Sequence, residues 1–324
     1  MGRWRPGGFG RTLRERARAA ARLTGRPDLD TSFEALRRNQ AALALAVARL
    51  QAPGESDPWD GPVRSRMCTQ ELCTSATYRT WCERMGRPPL LHRKQWEWVF
   101  IADSLQRGGV LRAGSRGLGF GVGREPLASL FAVSGCDLLA TDLDPADARA
   151  EEWAGTAQHA GALARMHDPA VCDLATFEER VAWRPVDMTR VPHDLEGFDF
   201  CWSSCALEHL GSIDAGFAFV DRSLATLRPG GVAVHTTELT LDESAPAITE
   251  GPTVLYRRAD LEEAAERWRR AGHEVAELAL DQGDGLLDWY VDVPPFVLHE
   301  PSLRALLAGR MCTSVGLVIR RGDG

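Results

Sequence analysis

Two acid–histidine pairs carry the clearest chemistry in this chain: Glu208-His209, just past the run Phe198–Cys205, and His235 with Glu238, inside the run Val232–Glu238. An imidazole next to a carboxylate can take a proton from a hydroxyl, so His209, with Glu208 before it, is the leading candidate for a general base, and His235 is a second. The four side chains Glu208, His209, His235 and Glu238 could instead hold a divalent cation, Mg²⁺ or Mn²⁺, if their strands are neighbours. His209 also has a plainer reading, as a cap on the turn that follows.

A binding loop lies upstream. In Gly117-Leu-Gly-Phe-Gly-Val-Gly-Arg-Glu125, four glycines at alternate positions let the backbone turn tightly beside a ligand. Val110-Leu111 leads into it, and Pro126, suited to a first helical turn, opens the helix after Glu125. A second apolar run, Cys136–Asp142, ends in a carboxylate 23 residues after Gly119. Strand, glycine turn, helix, strand and acid in that order make a nucleotide-binding βαβ unit. The dinucleotide form G-x-G-x-x-G needs glycine at position 124, where Arg124 stands, which disfavours a nicotinamide cofactor.

The elements that must position these groups alternate from Val110 onward. A helix starting near Asp144 or Asp147 should follow Asp142, and Trp183–Met188 reads as strand three, reaching Asp187. Phe198–Cys205 reads as strand four, and Arg228-Pro-Gly-Gly231 turns the chain into strand five, Val232–Glu238. Asp260–Glu263 opens a helix that Gly272 closes; His273–Leu280 is strand six and Thr313–Arg320 the last strand. The pattern predicts an α/β fold with a doubly wound, mostly parallel sheet over residues 105–324.

Residues 1–104 read as a basic tail and helical extension or lid. Phe33, Leu36, Leu43, Val47 and Leu50 follow a three-four repeat broken only by Gln40, which predicts an amphipathic helix lying on its own domain or pairing two copies as a homodimer. The turn residues of 52–62 make a linker or loop. In the helical stretch 64–108, Trp96 and Trp98 serve as core or lid, or else His92, Arg93 and Lys94, the only lysine of the chain, cap the cofactor or touch the acceptor.

Composition narrows the partners. Residues 1–26 hold eight arginines and one glutamate, so of a net −7 the remaining chain carries −14, which argues against duplex nucleic acid. None of the eight cysteines forms a CxxC pair, and free thiols in core strands imply a reducing, cytoplasmic setting. No apolar run reaches 18 residues, so neither a membrane span nor secretion is expected.

The ordered set resembles the class I S-adenosylmethionine-dependent methyltransferases over residues 105–320. Gly119-Phe120-Gly121-Val-Gly123 looks like their G-x-G-x-G loop, Asp142, with Leu143 beside it, their ribose-binding acid, and Asp187-Met188 their adenine contacts. Ser203–His209 is similar to their fourth-strand motif and Arg228–Gly231 to their turn before strand five. The resemblance implies S-adenosylmethionine as cofactor and sheet order 3-2-1-4-5-7-6 with an antiparallel strand seven, Thr313–Arg320. Family members carry an acid where Gly117 stands, so cofactor positioning here falls to Glu125 or the N-terminal segment. Cys205-Ala-Leu-Glu-His209 is similar to the E-x-x-E-H metal motif of small-RNA 2′-O-methyltransferases, with Cys205 in place of the first acid.

The acceptor is expected from the loop 281–296. Asp281, Asp284, Asp288 and Asp292 beside Trp289 and Tyr290 suit sugar hydroxyls and ring faces, or form a solvated acidic loop. Biosynthetic O-methylation of a saccharide or glycosylated natural product is the leading expectation, ahead of a peptide, a small aromatic metabolite, or a catalytically silent assembly partner.

Overall fold

A computed structural model of the chain describes residues 29–50, 56–144, 163–294, 296 and 300–323. The Arg-rich start and most of the helix expected from Asp144 or Asp147 lie outside the described residues. The chain divides into two units, residues 1–51 and 52–324, so residues 52–104 belong with the sheet.

In the first unit, Leu29–Leu50 form helix α1. The expected helix forms with its apolar stripe uncovered: Phe33, Leu36, Leu43, Val47 and Leu50 are exposed, whereas Ala41, Ala44 and Ala48 are buried. The small alanine side chains, not the large apolar ones, mark the covered face.

The second unit starts with strand β1 (Ser65–Met67), helices α2 (Gln70–Thr74), α3 (Ala76–Arg84) and α4 (Arg93–Arg107), then β2 (Arg116–Phe120), α5 (Leu127–Val133) and β3 (Asp137–Asp142). After α6 (Leu163–Met166) and α7 (Leu174–Arg180) come β4 (Val181–Pro185), β5 (Phe198–Ser203), α8 (Ile213–Ala225), β6 (Leu227–Thr240) and α9 (Arg258–Arg270). The chain ends through β7 (Glu274–Val275), β8 (Leu278–Ala279), α10 (Leu286–Trp289), β9 (Val291–Asp292), β10 (Arg304–Leu307) and β11 (Arg310–Arg320).

The sheet runs β4-β3-β2-β5-β6-β11, parallel up to β6, with β11 antiparallel to β6 and β7 antiparallel to β11. That path follows the expected 3-2-1-4-5-7-6 order, but among the described residues the sheet has eleven strands where seven were expected, and β1 and β8 continue it past β11. Strand six differs: only Glu274–Val275 pairs with β11, and Leu278–Ala279 pairs with β1, which has slipped in beside Val315 and Gly316 of β11. Buried Ser65 secures the insertion by accepting the Val318 amide on Oγ at 3.0 Å.

Helix α4 sets the geometry of everything that follows. His92 caps its start, Nδ1 accepting the Lys94 amide at 3.0 Å, and Gly109, with φ of +74°, takes the chain out just past its end. Its buried face carries Arg93, Glu97 and Phe100 at helical spacing. Phe100 lies against Gly316 of β11 so closely that a β-carbon there would stand 2.1 Å from the ring. The absent side chain lets α4 sink onto β6 and β11, which lowers Arg93 and Glu97 onto the carboxyl ends of the central strands.

Candidate functional site

The glycines divide into two kinds. A β-carbon on Gly117 would stand 2.3 Å from the Phe200 ring, and one on Gly119 would meet Val122 at 2.4 Å and Trp202 at 2.5 Å, so both exist for sheet packing. This also explains Gly117 where an acid was expected: that position faces an aromatic side chain. Gly121 and Gly123 instead have φ of +58° and +55°, the left-handed backbone that glycine favours. A β-carbon on Gly121 would meet Ala206 at 3.4 Å and the Met188 sulfur at 3.5 Å. The strand-one turn, the end of strand three and the tip of strand four therefore face one another.

Asp142 ends β3, largely buried, with Oδ1 accepting the Leu143 amide at 2.8 Å. Asp187 accepts from the Thr189 amide at 2.8 Å and its hydroxyl at 2.7 Å, capping a short turn at Met188–Arg190.

His235 and Ser203 do not join the site. Strand side chains alternate, so His235 and Glu238, three apart, point to opposite faces of β6. His235 is fully buried in the core with a ring nitrogen on each of two hydroxyls, Ser203 Oγ at 2.8 Å and Ser223 Oγ at 3.0 Å, and Phe219 packed edge-on against it. Burial pushes its pKa down to about 3, which keeps it neutral. The four-ligand set built on His235 is thus corrected, and with it the role of His235 as a base.

His209 ends the short turn Leu207–His209 beyond β5. Its Nδ1 lies 2.9 Å from the Pro252 carbonyl oxygen, to which it donates, and Nε2 lies 3.8 Å from Glu208 Oε1. Glu208 is fully buried: Oε2 accepts the Thr237 hydroxyl at 2.9 Å, while Oε1 has no hydrogen-bond partner among the described residues.

Beneath α4 lies a cluster that sequence reasoning missed in part. Glu97 Oε2 accepts the Ser204 and Thr236 hydroxyls, both at 3.1 Å, and Oε1 accepts the Ser314 hydroxyl and the Cys205 thiol. Arg93 Nη1 lies 2.8 Å from Glu238 Oε1 and 3.7 Å from Glu97 Oε1, and Lys94 Nζ lies 3.7 Å from Glu97 Oε2. Burial raises the Glu97 pKa, but Lys94, Arg93 and the bonds from Ser314 and Cys205 outweigh it and hold the carboxyl below its ordinary range. Burial lowers those of Arg93 and Lys94, yet the buried acids around them, Glu238, Glu97 and Glu208, leave both cations raised.

Cys205 sits at the centre with φ of +47°, a strained value for a side-chain-bearing residue, held by its amide donating to the Thr236 carbonyl and hydroxyl oxygens at 3.1 and 3.0 Å. Burial, together with Glu208 and Glu97, pushes its thiol well up, so the sulfur stays protonated. Glu125, at the exit of the glycine turn, has Oε2 buried with no hydrogen-bond partner among the described residues, and burial pushes its pKa up to about 8.

Cys205, Glu208 and Glu238 offer ligand atoms within 4.8 Å of one another. As arranged they do not fit Mg²⁺ or Mn²⁺. The sulfur is a protonated soft donor, Glu238 already holds a guanidinium, and neither candidate histidine joins all three donors.

The expected acceptor loop is more structural than its composition implies. Asp288 is buried in an ion pair with Arg304 at 3.1 Å and accepts the Gln70 and Gly285 amides; Asp292 is buried as well. Asp281 and Asp284 are exposed, Tyr290 is partly buried, and Trp289 is 68% exposed. His92 spends its Nδ1 on capping α4. No helix among the described residues is long and apolar enough to cross a membrane.

No family model and no curated protein matches the sequence. Solved structures similar to it include magnesium protoporphyrin IX methyltransferase from Synechocystis PCC 6803 with bound SAH, at 12% identity over 76% of this chain and 95% of that one, TM-score 0.41. Phosphoethanolamine N-methyltransferase 2 of Haemonchus contortus in complex with S-adenosyl-L-methionine matches at 20% identity over 64% and 44%, TM-score 0.36. The [4+2]-cyclase SpnF matches at 15% identity over 69% and 82%, TM-score 0.41. Such likeness concerns fold alone.

Proposed function

We propose that this chain is an S-adenosylmethionine-dependent methyltransferase acting on a hydroxyl of a saccharide or glycosylated natural product, with His209 as the base. The observation that carries the reading is the meeting of Gly121, Met188 and Ala206, because it brings three strand ends together at the carboxyl edge of the sheet, where ligands bind in such folds. The residues there fit the cofactor. Asp142 would accept ribose hydroxyls, Asp187 and Met188 would hold the adenine, and the orphaned Glu125 oxygen would accept the α-ammonium group. When bound, the cofactor supplies a methyl group on a positively charged sulfur.

The chain's own task is to place the acceptor and take its proton. With Nδ1–H given to Pro252, the basic lone pair of His209 is on Nε2, and Glu208 Oε1 at 3.8 Å stabilises the imidazolium that forms. At an effective dielectric of 20 that attraction is about 4 kcal/mol, reduced where His209 meets solvent. Exposed Trp289 offers a face for a sugar ring. The apolar stripe of α1 supports self-association as a homodimer; deleting residues 1–52 should then leave a monomer, and an unchanged mass in solution would count against it.

Calorimetric titration with S-adenosylhomocysteine and with NADH tests the reading. Saturable binding of the first is expected, and binding of NADH alone would sink it.

A further inference from the structure

We infer that the site carries its cation in its own chain: the Arg93 guanidinium stands where a divalent metal would, and acts as a positioning residue for the turn that bears Glu208 and His209. The inference rests on the proposed methyl transfer for its purpose, but not for its evidence. Arg93 Nη1 touches two of the three convergent donors, lying 2.8 Å from Glu238 Oε1 and 3.9 Å from Cys205 Sγ, and it donates to Ser314 Oγ at 3.3 Å. A metal ion placed among those donors would meet a guanidinium that is itself buried.

Charge counting points the same way. Three buried carboxylates, Glu97, Glu208 and Glu238, face two cations, Arg93 and Lys94, and one negative charge is left over. A single positive charge, such as an imidazolium on His209 or a sulfonium in the crevice, balances it, whereas a dication would reverse its sign. Arg93 also explains how the tip of β5 keeps its shape. With Glu97 it holds the Cys205 thiol, and Cys205 is the strained residue from which the turn to Glu208 and His209 departs.

The test measures metal directly. Elemental analysis of the full chain purified without chelator should give substoichiometric metal, and Zn²⁺ or Mn²⁺ titrations should show no tight site. Arg93→Gln removes the built-in cation and should raise affinity for Zn²⁺ by at least about tenfold, a gain that Glu238→Gln in the same chain reverses. Arg93→Lys keeps the charge and should bind metal no better than the unaltered chain, a rescue that a merely structural role would not produce.

Stoichiometric metal on the unaltered chain, lost in Glu208→Gln, would overturn the inference. So would a folded Arg93→Gln chain with unchanged metal affinity; if that variant does not fold, the unaltered chain and Arg93→Lys still decide. Titration with S-adenosylhomocysteine runs separately, so a failure of the methyltransferase reading would show there and leave the metal result standing.

Discussion

His235 and Glu238 leave the same strand three residues apart and end on opposite sides of the sheet, the first between Ser203 and Ser223, the second on Arg93. Removing the imidazole leaves two buried hydroxyls short of a partner. His235→Ala should therefore cost about 1–3 kcal/mol in urea unfolding while leaving S-adenosylhomocysteine affinity unchanged. The pH dependence has a definite sign. Because burial lowers the His235 pKa from 6.5 to about 3, the unfolded chain takes up the proton first, and this contribution to stability, complete above 6.5, is lost as pH falls from there to about 3. His235→Gln should flatten that acid limb; an unaltered limb would place the titrating group elsewhere.

Gly121, like Gly123, is a glycine whose backbone, not its packing, demands the residue type. Gly121→Val should strain the turn by about 1–3 kcal/mol and abolish S-adenosylhomocysteine binding with the circular dichroism of the fold preserved. Tight binding by that variant would show that the crevice lies somewhere else.

For His209 the expected effect is kinetic. His209→Ala should lower kcat by about 10²–10⁴ with cofactor affinity intact, and Glu208→Gln should lower it less, since the base remains and only its counter-charge goes. Equal turnover in His209→Ala would move the base to another group or dispense with one.

Glu125 makes cofactor binding itself sensitive to pH. With its pKa pushed up to about 8, the carboxyl is mostly protonated near neutrality, and an incoming ammonium group has to displace that proton. Calorimetry at pH 7 in buffers of different ionisation heat should register release of up to about one proton per cofactor bound, with affinity rising as pH approaches 8. Glu125→Gln should erase the release, and an equal release in that variant would assign it to another residue.

Much of the sheet was legible because its signals are local. Apolar runs and the acids at strand ends each sit within a few residues of what they specify, whereas the expected turn Arg228–Gly231 proves to be the irregular start of β6, where the pairing with β5 shifts register. The odd spacing of His235 and Glu238 was equally local, and strand periodicity alone separates them. Glu97 was not legible, because its partners Ser204, just past β5, Thr236 in β6 and Ser314 in β11 are all more than 100 positions away. Its traces are the helical spacing of Arg93, Lys94 and Glu97 and a lone glycine, Gly316, inside the last strand. Asp288 misled because an acid among turn residues reads as solvated, and Arg304, which buries it, lies beyond the loop.

The placement of β1 has a consequence in time. Ser65 and the Val318 amide it binds are 253 positions apart, so the early strand has no partner until nearly the whole chain exists. Closing so long a loop is slow, and the edge of β11 that β1 covers stays open until it is done. Nascent chains should therefore gain a ligand-competent crevice before their sheet is sealed. Pulse-labelled hydrogen exchange during refolding should find the Val318 amide protected later than those of β2 and β5.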